Sequence, residues 1–209
     1  MDEISLALNP PRFVKGRRGK RPIRIARSAT PTWPLAAVNG RNPEILQSEV
    51  KQPGIELAYT RTSPTDAIDA CPPNTQAGTS THFMPHSAAV LSFHDGVITF
   101  AGRLGDRYGL IINHGNGRAT HYRNLKSLAC IRTDLYNPRE QYLHAGKTIG
   151  YIGASKAGEF TPLYFELWHA DRDRRFVPVD PRPHLRDCKL VQHYDRFTPA
   201  PPAAQKEAA

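Results

Sequence analysis

From Val90 to Trp168 the chain repeats one unit, a short apolar alternation closed by a glycine-bearing turn, at intervals of roughly ten residues. Val90-Leu91-Ser92-Phe93 leads through His94 to Asp95-Gly96, a dipeptide suited to the positive φ of a tight hairpin, and Val97-Ile98-Thr99-Phe100-Ala101 follows. Leu110-Ile111-Ile112-Asn113 runs into His114-Gly115-Asn116-Gly117, and Ala119-Thr120-His121-Tyr122 continues beyond that turn. Ala145-Gly146 opens Lys147-Thr148-Ile149-Gly150-Tyr151-Ile152-Gly153. A chain of short strands closed by such turns excludes a helical bundle and a βαβ fold, and predicts an antiparallel β sandwich or open barrel.

The last strand of the series carries the most information about function. In Thr161-Pro162-Leu163-Tyr164-Phe165-Glu166-Leu167-Trp168, the residues Leu163, Phe165 and Leu167 alternate with Pro162, Tyr164 and Glu166. The first set predicts a face packed on the core, and the second a face that can line a groove.

Five pieces carry a resemblance: Asp95 to Gly102, Tyr108 to Gly117, Ala145 to Gly153, Phe165-Glu166-Leu167-Trp168, and Val179-Asp180-Pro181. In that order and spacing, the run from about Met84 to Leu185 resembles the lysostaphin-type (LytM-like) zinc endopeptidases that cut peptide cross-links of bacterial cell walls. The resemblance implies a zinc ion held by an HxxxD pair and by the second His of an HxH strand. It also implies two further histidines acting on the attacking water, one of them the first His of HxH, as an open catalytic zinc site requires.

None of these positions keeps its chemistry. An ungapped count back from Val90 places HxxxD at Ala77 and Thr81, where neither side chain is a useful zinc ligand. The histidine after Tyr-x becomes Asn124, an amide without a titratable group near neutrality. The HxH strand reads Pro162-Leu163-Tyr164, so the base becomes a proline and the remaining ligand a phenol. The resemblance therefore implies a degenerate domain without metal or cofactor, in which Thr81, Asn124, Pro162 and Tyr164 line the old groove. The histidines His82, His86, His94, His114 and His121 offer an alternative metal set, although Pro85 opposes the helix that His82 and His86 would need, and His114 reads as structural.

The N-terminal segment is of another kind. Arg12, Lys15, Arg17, Arg18, Lys20, Arg21, Arg24 and Arg27 face only Asp2 and Glu3, so six of the nine net positive charges lie before residue 34. Prolines and the lack of apolar periodicity predict an extended basic arm, open to an acidic protein partner, to nucleic acid or to solvent. The organisation expected is a basic arm over 1–34, a lead-in over 35–83 packed on the core, a β core over 84–190 and a Pro/Ala-rich tail over 191–209. Within the lead-in, Ile55 to Tyr59 is expected to add one strand. Cys71, Cys130 and Cys188 are odd in number, which fits reduced thiols.

Residues 4 to 8 are too short for the apolar core of a secretory leader, and no run approaches a membrane span. The location expected is then a virion or the cytoplasm. Three functions follow from these features. The first is a non-catalytic structural or interaction protein bound to other subunits of an assembly such as a bacterial-virus particle. The second is a groove that binds peptidoglycan or a protein, and the third is a hydrolase with a rearranged metal site.

Overall fold

The computed structural model describes residues 30–38, 40–46, 53–60, 82–85, 87–129, 142–153 and 161–193. The basic residues Arg12 to Arg27, as well as Ala77, Thr81, His86, Cys71 and Cys130, lie outside them.

The strands are β1 (Ala37–Val38), β2 (Pro43–Ile45), β3 (Ile55–Thr60), β4 (His82–Phe83), β5 (Ala88–Leu91), β6 (Gly96–Leu104) and β7 (Arg107–Gly115). They continue as β8 (Arg118–Leu125), β9 (Ser127–Leu128), β10 (Tyr142–Leu143), β11 (Thr148–Ile152), β12 (Leu163–Ala170), β13 (Phe176–Val179) and β14 (Gln192–His193). One short helix, α1 (Arg182–Leu185), precedes β14. The main sheet runs β10-β6-β7-β8-β12-β3-β2, with β13 beside β12 and β4 beside β3, and all its pairs are antiparallel. A smaller antiparallel sheet, β5-β11-β9, packs against it. The fold is the mainly antiparallel sandwich that the sequence predicts, with no closed barrel among the described residues.

The alternation in β12 sorts its side chains as expected. Leu163, Phe165 and Leu167 enter one apolar core with Leu57, Leu110, Ile112 and Tyr122 of the main sheet and with Val90, Ile149 and Ile152 of the small one. The Phe93 amide donates to the buried Tyr122 hydroxyl at 2.8 Å, tying the loop after β5 to the centre of the main sheet. Asn116 and Gly117 have φ of 51° and 70°, the two left-handed positions of a tight hairpin turn, and they join β7 to β8 where the sequence places a turn.

Asp95-Gly96 is different from its sequence expectation. It joins β5 and β6, which belong to different sheets, so it is a crossover rather than a hairpin. Gly96 is needed for close approach: a Cβ there would stand 2.6 Å from Ile112 Cγ2 and 2.8 Å from the Asn113 carbonyl oxygen. Asp95 is instead the staple of the crossover, its carboxylate accepting from the Ala145 amide at 2.7 Å and the Tyr142 hydroxyl at 3.2 Å.

The outer limits of the core also differ from the expected boundaries. Thr32, placed with the arm, is buried; its amide donates to the Phe93 carbonyl at 2.9 Å, and Thr32 bridges to Lys189. The Ala36 amide donates to Ala89 at 3.0 Å, so residues 32–36 run along β5, and β1 pairs in parallel with β14, which the sequence assigned to the tail. Apolar residues explain both, since Leu35 and Val38 join the main core and Ala36 packs with Val191 on the outer face of the small sheet. β3 forms at the expected residues and pairs with β12. Among the described residues, no helix is long and apolar enough to cross a membrane.

Candidate functional site

Residues opposite one another in an antiparallel pair share a face. On β12, Tyr164 stands between Glu56 of β3 and Arg123 of β8, Glu166 is opposite His121, and Trp168 is opposite Ala119. These residues cover the face away from the core, where Trp168, Ile111, Phe100 and Phe176 form a second apolar cluster.

That face is not an open groove around Tyr164. Tyr164 is 7% exposed and Glu166 4%. Gly54, at the entrance to β3, lies against both: its amide donates to the Tyr164 hydroxyl at 3.2 Å, and a Cβ on it would meet the Phe165 carbonyl oxygen at 2.6 Å and both Glu166 Cγ and Tyr164 Cζ at 2.8 Å. The Arg123 guanidinium carbon sits 5.6 Å from the Tyr164 ring centroid, within reach of a cation–π contact. The Tyr164 hydroxyl donates to Glu166 in a further hydrogen bond, and burial with this acidic neighbour pushes its phenol up to about 12.

Glu166 is the hub. Its Oε2 accepts from the Trp168 indole at 2.7 Å and lies 3.3 Å from His121 Nδ1. Burial alone would push the carboxyl up, but the hydrogen bond and charge of His121, with hydrogen bonds from Trp168 and Tyr164, hold it below the ordinary value. His121 is 1% exposed, and its Nε2 has no hydrogen-bond partner among the described residues.

The other positions that the resemblance singles out are likewise engaged by their own chain. Asn124 adopts φ of 69°, and its Nδ2 donates to the Pro162 carbonyl at 3.0 Å, so the structure joins these two positions to each other. Of the sequence-derived positions, Asn124, Pro162 and Tyr164 come together at the start of β12, while Ala77 and Thr81 lie outside the described residues.

The register reveals a residue the sequence reading missed. Glu56 stands opposite Tyr164, a carboxylate beside the position where the resemblance calls for a metal ligand. Glu56 follows Gln52 by four residues, the spacing of HxxxD. The ungapped spacing from Val90 reaches only Thr81 and Ala77 and stops short of β3.

The residues present do not fit a catalytic zinc. Its donors must be histidine, thiolate or carboxylate, and among the described residues no three of these converge on one point. Tyr164 is a protonated phenol already bonded on both sides, Asn124 is spent on a carbonyl, and Pro162 has no donor atom. His114, from the alternative histidine set, is structural: Nδ1 donates to the Asp95 carbonyl at 2.9 Å and Nε2 accepts from the Thr120 hydroxyl at 2.8 Å. Burial lowers its pKa to about 4, so the ring is neutral. Cys188 is a free thiol, pushed up to about 12 by burial and the nearby Asp187 charge.

A family model, Peptidase family M23, matches residues 76–181, just over half of the chain. The chain belongs to peptidase family M23. The match starts after β3, so the placement of Glu56 rests on strand register. A protein from Ruminococcus gnavus ATCC 29149 described as a glycyl-glycine endopeptidase LytM has a similar fold, with a TM-score of 0.50 at 16% identity, over 79% of this chain. This chain spans only 63% of that protein's length. Lysostaphin matches with a TM-score of 0.44 at 15% identity over 82% of this chain and 61% of its own. The SpoIIQ–SpoIIIAH pore-forming complex also matches, at a TM-score of 0.44 and 14% identity over 86% and 98%. No curated protein matches the chain significantly.

Proposed function

We propose that this protein is a non-hydrolytic M23 domain serving as a structural or interaction module of a larger assembly. The observation that carries the reading is the self-satisfied state of the catalytic face: Gly54 and Glu166 bind Tyr164, and Asn124 binds Pro162, so the positions that would hold metal and activate water are consumed by the fold. Water activation needs an unengaged base or a metal-bound hydroxide, and these residues supply neither.

Within this reading, the HxxxD slot falls at Gln52 and Glu56, because Glu56 faces Tyr164 across the sheet. One carboxylate then remains of the three expected ligands. Tyr164 is too well covered to offer its ring to a cell-wall peptide, which favours recognition outside this face.

Full-length protein purified with zinc in the buffer is expected to carry well under one zinc per chain and to leave purified cell walls undigested. Stoichiometric zinc together with release of cross-link peptides would sink the reading. The interaction half rests on the arm, where six of the nine net charges reside. Deleting residues 1–29 is expected to abolish co-assembly with partner proteins while leaving the thermal midpoint unchanged, since Thr32 is the first buried residue among the described ones. Intact assembly after the deletion would remove the arm from the proposal.

A further inference from the structure

At the end of the sandwich where β8 begins and β12 finishes, a cavity of about 310 Å³ opens between Pro31, Phe93, His94, Arg118, Leu167, His169 and His184. It lies on the core side of β12, since Leu167 points inward with Leu163 and Phe165, and it shares no residue with the Tyr164–Glu166 face. Pro31, Phe93 and Leu167 give it apolar walls. Every polar side chain lining it is a guanidinium or an imidazole.

Four elements supply those groups. Arg118 starts β8 and stands opposite His169 of β12 in register, so the two side chains project together. His184 comes from α1, its ring 5.3 Å from that of His169, and His94 comes from the crossover between β5 and β6. The nearby carboxylate, Asp95, is turned to Ala145 and Tyr142. His114 faces His94 at 5.8 Å but is tied to Asp95 and Thr120. His169 Nε2 is buried without a partner among the described residues, an arrangement that costs free energy until something accepts from it or donates to it. The three histidines are not grouped to hold a metal ion.

We propose that this cavity binds a small oxyanion, a sulfate, phosphate or carboxylate group that Arg118 grips while His94, His169 and His184 donate to it. Guanidinium recognition of an oxyanion is strong and directional, and imidazolium groups add charge-assisted hydrogen bonds. Burial and the Arg118 charge hold His94 and His169 below the ordinary imidazole value, with His184 lowering both further and Asp95 partly opposing the shift at His94. A bound anion removes that repulsion and favours the protonated rings. Binding therefore takes up protons, and affinity rises as pH falls through the imidazole range. This inference is independent of whether the catalytic face hydrolyses anything.

The test is a titration of the full chain with sodium sulfate, whose charge is constant over the range, followed by the histidine ring signals in NMR spectra at pH 8 and pH 6. Saturable shifts of His94, His169 and His184 are expected, with tighter binding at the lower pH and about tenfold weaker binding in Arg118→Gln. Arg118 is exposed, so the variant keeps its fold, and the His114 signal reports on that. A parallel titration with sodium propionate separates a carboxylate ligand from a tetrahedral one by which binds tighter. Equal shifts from sodium chloride at matched ionic strength would overturn the proposal, as would sulfate affinity unchanged in Arg118→Gln.

Discussion

Replacing Glu166 by alanine is expected to destabilise the fold by about 3–5 kcal/mol, the range seen when one partner of a buried charged pair is removed. The carboxylate serves Trp168, His121 and Tyr164 at once. Its loss leaves an indole N–H, a phenol and an imidazole buried together without their acceptor, and each unsatisfied group costs about 1–3 kcal/mol before relaxation. Glu166→Gln keeps the volume and one acceptor oxygen, so about half of that loss is expected. Denaturant unfolding of the two variants measures both values, and a midpoint within error of the wild type for Glu166→Ala would show that the network contributes nothing to stability.

The same residue makes a signed prediction about pH. The folded-state pKa of Glu166 is held below its unfolded value, so its contribution is present above the ordinary glutamate pKa of about 4.3 and is lost as pH falls through the folded value. Wild-type stability should therefore fall on acidification in this window more steeply than that of Glu166→Gln, which has no carboxyl to protonate.

The β architecture was legible because its signals are local. Alternation in β12 and Asn116-Gly117 between β7 and β8 need only neighbouring residues to be read, and both behave in three dimensions as their sequences predict. Asp95-Gly96 shows the limit of that reasoning. The dipeptide has the composition of a hairpin turn, but its glycine is fixed by the distant Ile112 and Asn113, and its aspartate by Ala145. Thr32 and Gln192–His193 were assigned to arm and tail for a related reason: two-residue strands carry no periodicity, and only the pairing partner makes them part of the core.

The candidate site was half legible. Pro162, Tyr164 and Asn124 could be named from motif spacing, but the covering of Tyr164 by Gly54 joins positions 110 residues apart and leaves no trace in either local sequence. Glu166 was read as a groove-lining residue because an acidic side chain on an alternating strand ordinarily faces water. Three donors, from β8 and from its own strand, make its burial tolerable. Glu56 carries no such signal, because the ungapped spacing from Val90 ends at Ala77, short of β3, and its placement rests on strand register.

That register yields the prediction with the largest functional effect. If Glu56 occupies the second HxxxD position, the combination Gln52→His, Glu56→Asp and Tyr164→His should place three good donors together and bind zinc with a dissociation constant in the micromolar range or tighter. The wild-type chain, with a phenol pushed up to about 12 at Tyr164, is expected to bind at least about a hundredfold more weakly, since deprotonating such a phenol at neutral pH costs several kcal/mol. The matched set Ala77→His, Thr81→Asp and Tyr164→His tests the ungapped alternative with the same ligand chemistry. Zinc competition against a chromogenic chelator distinguishes them: tight binding by the first set alone places the ancestral ligand pair at residues 52 and 56, whereas tight binding by the second alone would return it to residues 77–81. Metal binding without hydrolysis is the expected outcome in either case, because Asn124 and Pro162 still lack a base. Adding Asn124→His and Pro162→His to the zinc-binding set is the step at which cell-wall cleavage should first appear, and it must also break the Asn124 hydrogen bond that now closes the site on itself.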